Sequence, residues 1–181
     1  FAKPPPQKTL LEQLFEQKIV VSSVGKIDDL FAGRGISTSV ATLDNVDGMS
    51  ETVTALAALD EGLLVVNLID FDMCYGHRRD AVGFGRALEE FDAWLPELYE
   101  QMRDDDLLVI CADHGCDPTT EGSDHTREYV PLLAWSKSMA TGVALGDRPS
   151  FADAGATLAA YFDAGTIAAG ESLLALLGLP A

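Results

Sequence analysis

Residues 63–70, LLVVNLID, form an almost unbroken apolar run that ends in an aspartate. A run without strict polar alternation is typical of a strand in a parallel sheet whose two faces are both covered by helices. A second run of this kind, DLLVICA at 106–112, follows a long segment with apolar residues at helical spacing. The two runs predict an α/β fold.

Further elements are predicted on both sides of these runs. Short apolar runs at 19–24 and 130–135 predict two more strands. Helices are predicted near 8–18, from a cap at Ser50, over 82–102 with an interruption or kink at Pro96, near 151–162 and at 172–178. Strands that alternate with helices predict a mostly parallel sheet sandwiched by helices.

The composition limits the kinds of partner and compartment. The chain has 181 residues, 48% of them hydrophobic and 23% charged, which fits one globular domain with a real core. Its net charge of -17 repels nucleic acid and anionic membranes, so we expect neither as a partner. No apolar run is long enough to span a membrane, and no signal-peptide pattern opens the sequence, so we expect a cytoplasmic protein. Three cysteines without a Cys-x-x-Cys pair predict reduced thiols, with Cys111 buried in its strand.

All three histidines follow the ends of the two apolar runs, beside acidic residues. The carboxyl ends of strands in an open α/β sheet converge on one crevice, where ligands bind. A lone histidine is usually structural, but three in this placement favour a metal or catalytic site. The candidate metal ligands are Asp72, His77, Asp113, His114 and His125.

The mixture of carboxylate and imidazole suits Mn²⁺ or Zn²⁺ better than Mg²⁺. Five ligands would crowd one ion, and they are too few for two ions unless other residues contribute. Neighbouring acidic residues have simpler interpretations. Asp70 is as consistent with a helix cap or turn as with a site, and Asp117 and Asp124 are expected to serve loop turns.

Five of the twelve basic residues lie in or beside the same loops: Lys26, Arg34, Arg78, Arg79 and Arg127. In so acidic a chain this placement predicts a phosphorylated substrate, since lysine and arginine are the usual phosphate holders. Arg34 and Arg79 are expected instead to be solvated surface charges or to form salt bridges to acidic neighbours. Metal ligands together with phosphate holders point to phosphoryl transfer.

Three segments carry a family resemblance. IDFDMCYGHRRD at 69–80, ADHGCDPTTEGSDHTREYVPLL at 112–133 and SVGKIDDLFAGRGI at 23–36 resemble, in order and spacing, segments of the phosphopentomutase family. The Arg-Arg-Asp and His-Thr-Arg-Glu elements separate this family from cofactor-independent phosphoglycerate mutases and alkaline phosphatases, which share its metal scaffold. The resemblance implies an alkaline-phosphatase-like core and interconversion of ribose 1-phosphate with ribose 5-phosphate, and of the deoxyribose pair. The implied route uses a phosphothreonine enzyme and a bisphosphate intermediate.

The resemblance also assigns roles to the candidate residues. It implies that Asp72, His77 and His125 bind one Mn²⁺ and that Asp113 and His114 bind a second. Lys26 would contact the phosphorylated pentose, with Arg78 and Arg127 as further phosphate holders. A sugar bisphosphate would be the activator.

Members of that family are longer than this chain. The resemblance therefore implies a carboxy-terminal core segment, with residues 1–7 as a hinge from a cap domain and residues 8–181 as part of the catalytic core. The amino-terminal half would supply another metal-ligand aspartate and the nucleophilic threonine, so the catalytic nucleophile is not identified in this sequence. We expect the 181-residue segment alone to be inactive. The alternatives are a metal-dependent phosphatase or phosphoglycerate-mutase-like enzyme on the same scaffold, or a non-catalytic half.

Overall fold

The structure, a computed structural model, describes residues 3–139 and 142–179. The strands are β1 (Val20–Val24), β2 (Thr38–Val40), β3 (Gly62–Val66), β4 (Leu108–Cys111) and β5 (Leu132–Trp135). The helices are α1 (Leu10–Glu16), α2 (Ile27–Phe31), α3 (Asn45–Ala58), α4 (Ala81–Gln101), α5 (Ala152–Tyr161) and α6 (Leu174–Leu177). A π-helical turn, Phe71–Gly76, lies between β3 and α4.

The first three strands form a parallel sheet in the order β2-β1-β3. The central strand β1 aligns Val24 with Val40 of β2 and with Val66 of β3. The main apolar core joins Leu11 and Leu14 of α1 to Val21 of β1. The predicted α/β class, with a parallel sheet flanked by helices, is confirmed.

The second apolar run forms the predicted strand, but its pairing differs from the expected one. β4 pairs antiparallel with β5, with Leu108 opposite Trp135 and Cys111 opposite Leu132. Within the described ranges no ladder joins this pair to the parallel sheet. An apolar run predicts a strand but does not specify the direction of the neighbouring strand, so the sequence did not reveal this pairing. The prediction that Cys111 is buried is wrong, because it is exposed at the end of β4.

Local capping explains where the helices begin. At α1 the Glu12 amide donates to Thr9 Oγ1 at 3.2 Å, and the Thr9 amide donates to the Glu12 carboxylate at 2.9 Å, which is a capping box. Ser50 is not the cap of α3. Asp44 caps that helix by accepting from the Asp47 amide at 2.8 Å, and Ser50 lies inside it. Pro96 lies inside α4, which continues to its end at Gln101 without starting a new segment.

A buried carboxylate organises the last part of the described chain. Asp153 of α5 is 1% exposed and accepts hydrogen bonds from Arg148 Nε at 2.7 Å and from the Glu171 amide at 3.0 Å. Thr157 Oγ1 donates to the Asp153 carbonyl at 2.6 Å and accepts from the Leu173 amide at 3.0 Å. These bonds fasten the segments before and after α5 to the helix.

Residues 3–7 contain no helix or strand, and residues 1 and 2 lie outside the described part, so a hinge at 1–7 stays a prediction. The predicted catalytic-core segment 8–181 likewise includes four residues outside the described part, at 140, 141, 180 and 181. Among the described residues, no helix has the length and apolar character needed to cross a membrane.

Candidate metal centre

The π-helical turn after β3 presents the first candidate ligands. Its wide backbone ring is closed by the His77 amide, which donates to the Asp72 carbonyl at 2.9 Å. π-Helical turns are rare and frequently mark functional sites. A Cβ atom on Gly76 would lie 2.5 Å from Cys116 Sγ in the loop after β4, so a larger residue here would force a shift. The glycine therefore lets the two ligand-bearing loops touch.

The loop after β4 folds back on itself and brings two histidines together. Gly115 and Thr126 form an isolated antiparallel bridge, with the Thr126 amide donating to the Gly115 carbonyl at 3.1 Å. The rings of His114 and His125, the residues just before these two, stack with their centroids 3.6 Å apart. A backbone bridge thus creates a histidine pair from residues far apart in sequence.

Three of the predicted ligands form one cluster. Asp72, His114 and His125 each offer a ligand atom within 4.8 Å of the others. Asp72 Oδ1 lies 3.4 Å from His125 Nε2 and 4.0 Å from His114 Nε2. Two ligands of a tetrahedral ion at about 2.1 Å lie about 3.4 Å apart, so this spacing fits ligands around one ion.

One buried oxygen of the cluster, Asp72 Oδ1, indicates whether a cation fits there. Asp72 Oδ1 is buried and has no hydrogen-bond partner, although a buried carboxylate oxygen is costly without one. A divalent cation would satisfy it, and the mixed carboxylate and imidazole donors suit Mn²⁺ or Zn²⁺. The residues present therefore fit a metal ion.

His77 and Asp113 lie at the edge of this cluster. His77 Nε2 is 3.2 Å from Asp72 Oδ2, and its Nδ1 donates to the Ser123 carbonyl at 2.5 Å. A backbone acceptor on one ring nitrogen is the usual way in which a metal-binding histidine is oriented. Asp113 Oδ1 lies 3.8 Å from His114 Nε2, and the Asp113 side chain is 69% exposed. The structure thus brings three of the other four candidates, His77, His114 and His125, around Asp72 and leaves Asp113 toward solvent.

The predicted phosphate holders lie on the surface. Lys26, Arg78 and Arg127 are exposed, and the Lys26 ammonium contacts Met73 Sδ of the π-helical turn. Arg34 forms the expected salt bridge, with Nη1 3.5 Å from Glu12 Oε1.

Arg79 was expected to be a solvated charge or a salt bridge, and it is neither. Its guanidinium donates to three backbone carbonyls: Nε to Gly122 at 2.5 Å, Nη1 to Asp117 at 2.9 Å and Nη2 to Asp124 at 2.5 Å. Sequence patterns cannot identify such a contact, because every residue carries a carbonyl. The one available signal was the position of Arg79 two residues after His77.

Electrostatics and hydrogen bonds around the loop are consistent with this geometry. Asp117 accepts from the Thr119 hydroxyl at 2.6 Å and the Thr119 amide at 2.8 Å, and these bonds lower the pKa of the Asp117 carboxyl. Asp117 thus serves the loop turn that was predicted for it. Desolvation raises the pKa of the Cys116 thiol, with a further contribution from Asp72, so this cysteine favours its neutral form beside the cluster.

Comparison with known proteins agrees with a metal-dependent enzyme. Residues 9–165 match the model of the metalloenzyme superfamily. A phosphopentomutase from Syntrophotalea carbinolica is 58% identical over 163 residues, which are 90% of this chain and 42% of that protein. One from Caldanaerobacter subterraneus subsp. tengcongensis is 50% identical over 179 residues, which are 99% of this chain and 46% of that protein. The chain spans less than half the length of these curated relatives. Because the family model covers most of its residues, the chain belongs to the metalloenzyme superfamily.

Proposed function

We propose that this chain supplies the metal-binding part of a phosphopentomutase that interconverts (deoxy)ribose 1-phosphate and (deoxy)ribose 5-phosphate. The observation that carries the proposal is that curated relatives 50–58% identical over at least 90% of the chain bear that name. The orphaned Asp72 Oδ1 between two histidines supports the metal-dependent part. The proposed setting is nucleotide and pentose phosphate metabolism in the cytoplasm.

Two Mn²⁺ ions are the proposed cofactors. In the proposed assignment Asp72, His77 and His125 hold one ion, and Asp113 and His114 contribute to the other. Asp72, His114 and His125 lie at a spacing that fits one ion, whereas this assignment gives His114 to the second ion; the closeness of Asp72 to both histidines supports a carboxylate between the two ligand sets. When bound, the metals would stabilise charge on the transferred phosphoryl group and lower the pKa of the hydroxyl that attacks it.

The residues of this chain would bind and orient the substrate. Lys26, Arg78 and Arg127 are exposed and are proposed to hold substrate phosphate, for which lysine and arginine provide several N–H donors. A sugar bisphosphate is the proposed activator, because it would restore the phosphorylated enzyme.

The nucleophile is proposed to be a threonine outside this chain. Thr119 and Thr120 lie in the loop between His114 and His125, but their hydroxyls donate to Asp117, at 2.6 Å to its Oδ1 and at 3.0 Å to its carbonyl respectively. These bonds support a role in the loop turn. The rest of the relatives' length, including a cap that would close over the sugar, is the proposed partner of this segment.

The experiment uses the protein as its native gene produces it, incubated with Mn²⁺ and ribose 1-phosphate and followed by phosphorus NMR. The expected product is ribose 5-phosphate, with a rate that rises on addition of a sugar bisphosphate. Release of free phosphate without ribose 5-phosphate would show a phosphatase instead. Absence of turnover with the ribose and deoxyribose substrates would support a non-catalytic metal-binding protein.

A further inference from the structure

Arg79 connects the two loops that carry the metal ligands. It lies two residues after His77, and its three acceptors, Asp117, Gly122 and Asp124, belong to the loop between His114 and His125. The last acceptor immediately precedes His125 in sequence. The fork of one guanidinium therefore ties both ends of this loop to the segment that follows the π-helical turn.

The backbone of Arg79 is itself held in a fixed and unusual conformation. Its φ is 55°, in the left-handed region that favours glycine. The Arg79 amide donates to the Gly76 carbonyl at 3.1 Å, and the next amide, of Asp80, donates to the Tyr75 carbonyl at 3.0 Å. Asp80 then caps α4 by accepting from the Gly83 amide at 2.9 Å. The side chain is thus projected from a turn anchored on both sides, and such backbone strain is typical of functional positions.

Arg79 could bind substrate phosphate or hold the loop before His125 in place. Its acceptors are neutral carbonyls of that loop, which favours the second role. A phosphate would have to compete with three hydrogen bonds, each from a different nitrogen of the guanidinium. The neighbouring Arg78 is exposed and is the better phosphate holder of the pair. The geometry of Arg79 is that of a clamp on the loop before His125.

We propose that Arg79 is a positioning residue that orients His125 toward Asp72 and thereby sets the Mn²⁺ affinity of the site. The proposal rests on the proposed function only for the identity of the metal. Lysine cannot replace arginine in this role, because its donors all lie on one nitrogen and cannot span three separated carbonyls.

The test compares Arg79→Lys with wild type in the protein as its gene encodes it. Mn²⁺ affinity is measured without substrate, by electron paramagnetic resonance of the free ion. We expect Arg79→Lys to weaken binding by about ten-fold or more, the usual effect of removing a group that orients a metal ligand. Amide hydrogen exchange should rise in residues 117–125 and stay unchanged in α4. The matched control is Arg86→Lys, since Arg86 is an exposed arginine of α4.

Steady-state kinetics distinguish a role of Arg79 in positioning His125 from a role in binding substrate phosphate. Turnover by Arg79→Lys should fall at limiting Mn²⁺ and recover at saturating Mn²⁺, with the KM for ribose 1-phosphate unchanged. Unchanged Mn²⁺ affinity would overturn the proposal, and so would a raised KM that added Mn²⁺ does not correct. If the lysine variant does not fold, judged by circular dichroism, Arg79→Gln carries the same comparison. Because the Mn²⁺ titration needs no substrate, a protein without mutase activity would still test the clamp.

Discussion

Asn45 and Asp70 exchange two hydrogen bonds across the start of the candidate site. The Asn45 amide donates to Asp70 Oδ2 at 2.8 Å, and the Asp70 amide donates to Asn45 Oδ1 at 2.9 Å. Asn45 is the first residue of α3, and Asp70 immediately precedes the π-helical turn. A cap-like role was one of the two interpretations of Asp70. The structure shows this role, because Asp70 accepts from the first amide of α3, a helix that is distant in sequence.

We expect Asn45→Ala to destabilise the protein by about 1–3 kcal/mol, because it leaves the Asp70 amide without its acceptor at a part-buried position. Urea unfolding measures the change in the free energy of unfolding. Thr54→Ala is the control on the same helix, since Thr54 is exposed, and it should change stability by less than about 0.5 kcal/mol. Equal effects of the two substitutions would contradict a role for the Asn45–Asp70 pair.

The close backbone contacts of Gly115 predict that a side chain at this position would lower stability and weaken metal binding. A Cβ atom at this position would lie 2.7 Å from the Thr126 carbonyl oxygen and 2.7 Å from the Glu128 amide nitrogen. We expect Gly115→Ala to force the bridge beside His114 and His125 apart, to cost about 1–3 kcal/mol of stability and to weaken Mn²⁺ binding. Thermal unfolding and a Mn²⁺ titration measure the two effects.

Gly85 provides the matched control for that substitution. It lies within α4, and nothing stands within 4 Å of a Cβ atom built on it. Gly85→Ala should therefore stabilise the protein by about 0.5–1 kcal/mol, as expected for alanine in a helix interior. If Gly115→Ala left the free energy of unfolding unchanged or raised it, as Gly85→Ala is expected to do, the bridge would tolerate a side chain.

The sequence predicted the parts of this fold that follow from periodicity and from position along a strand. Residues 63–66 of the apolar run at 63–70 lie in β3, and polar residues after β3 and β4 lie together as predicted, although β4 belongs to a separate antiparallel pair. The partner of β4 was not predictable, because burial of a run does not specify the direction of its neighbour. The Asn45–Asp70 pair and the clamp of Arg79 were missed because each depends on backbone acceptors or donors, which leave no mark in the sequence.

Asp153 predicts a pH-dependent contribution to stability. Hydrogen bonds from the Glu171 amide and from Arg148 lower the pKa of its carboxyl below the ordinary value. Because the folded pKa lies below the unfolded one, the stability that ionised Asp153 contributes is present above the unfolded pKa, and it is lost as pH falls through the folded pKa.

We therefore expect Asp153→Asn to lower the free energy of unfolding by about 2–4 kcal/mol near pH 7, with a deficit that shrinks toward about pH 3. Urea unfolding at both pH values measures it. Asp147→Asn, at an exposed carboxylate near Arg148, is the control and should show little deficit at either pH. A deficit in Asp153→Asn that is the same at both pH values would indicate lost packing without loss of a charged interaction.

His125 predicts a loss of activity without a loss of fold. Its side chain is 46% exposed and lies on a loop, so His125→Ala should change stability by less than about 1 kcal/mol. We expect the same substitution to abolish the proposed sugar phosphate isomerisation by the protein as its gene encodes it. Circular dichroism and an assay for ribose 5-phosphate measure the two properties. Near-normal turnover would remove His125 from the site, and Glu121→Ala in the same exposed loop controls for disturbance of the loop.

We expect the effect of Asp72→Asn on stability to differ between the metal-free and the Mn²⁺-bound protein. Without metal, its Oδ1 is a buried oxygen with no hydrogen-bond partner, and its other oxygen contacts His77, whose side chain is 43% exposed. Asp72→Asn should thus leave the metal-free protein equally stable or slightly more stable. With Mn²⁺ at a hundred times its dissociation constant, wild type should gain about 2.7 kcal/mol and the variant much less. Thermal unfolding after chelator treatment, and again with Mn²⁺, measures both. A variant that is less stable without metal and equally stabilised by Mn²⁺ would mean that the orphaned oxygen serves packing and does not bind a cation.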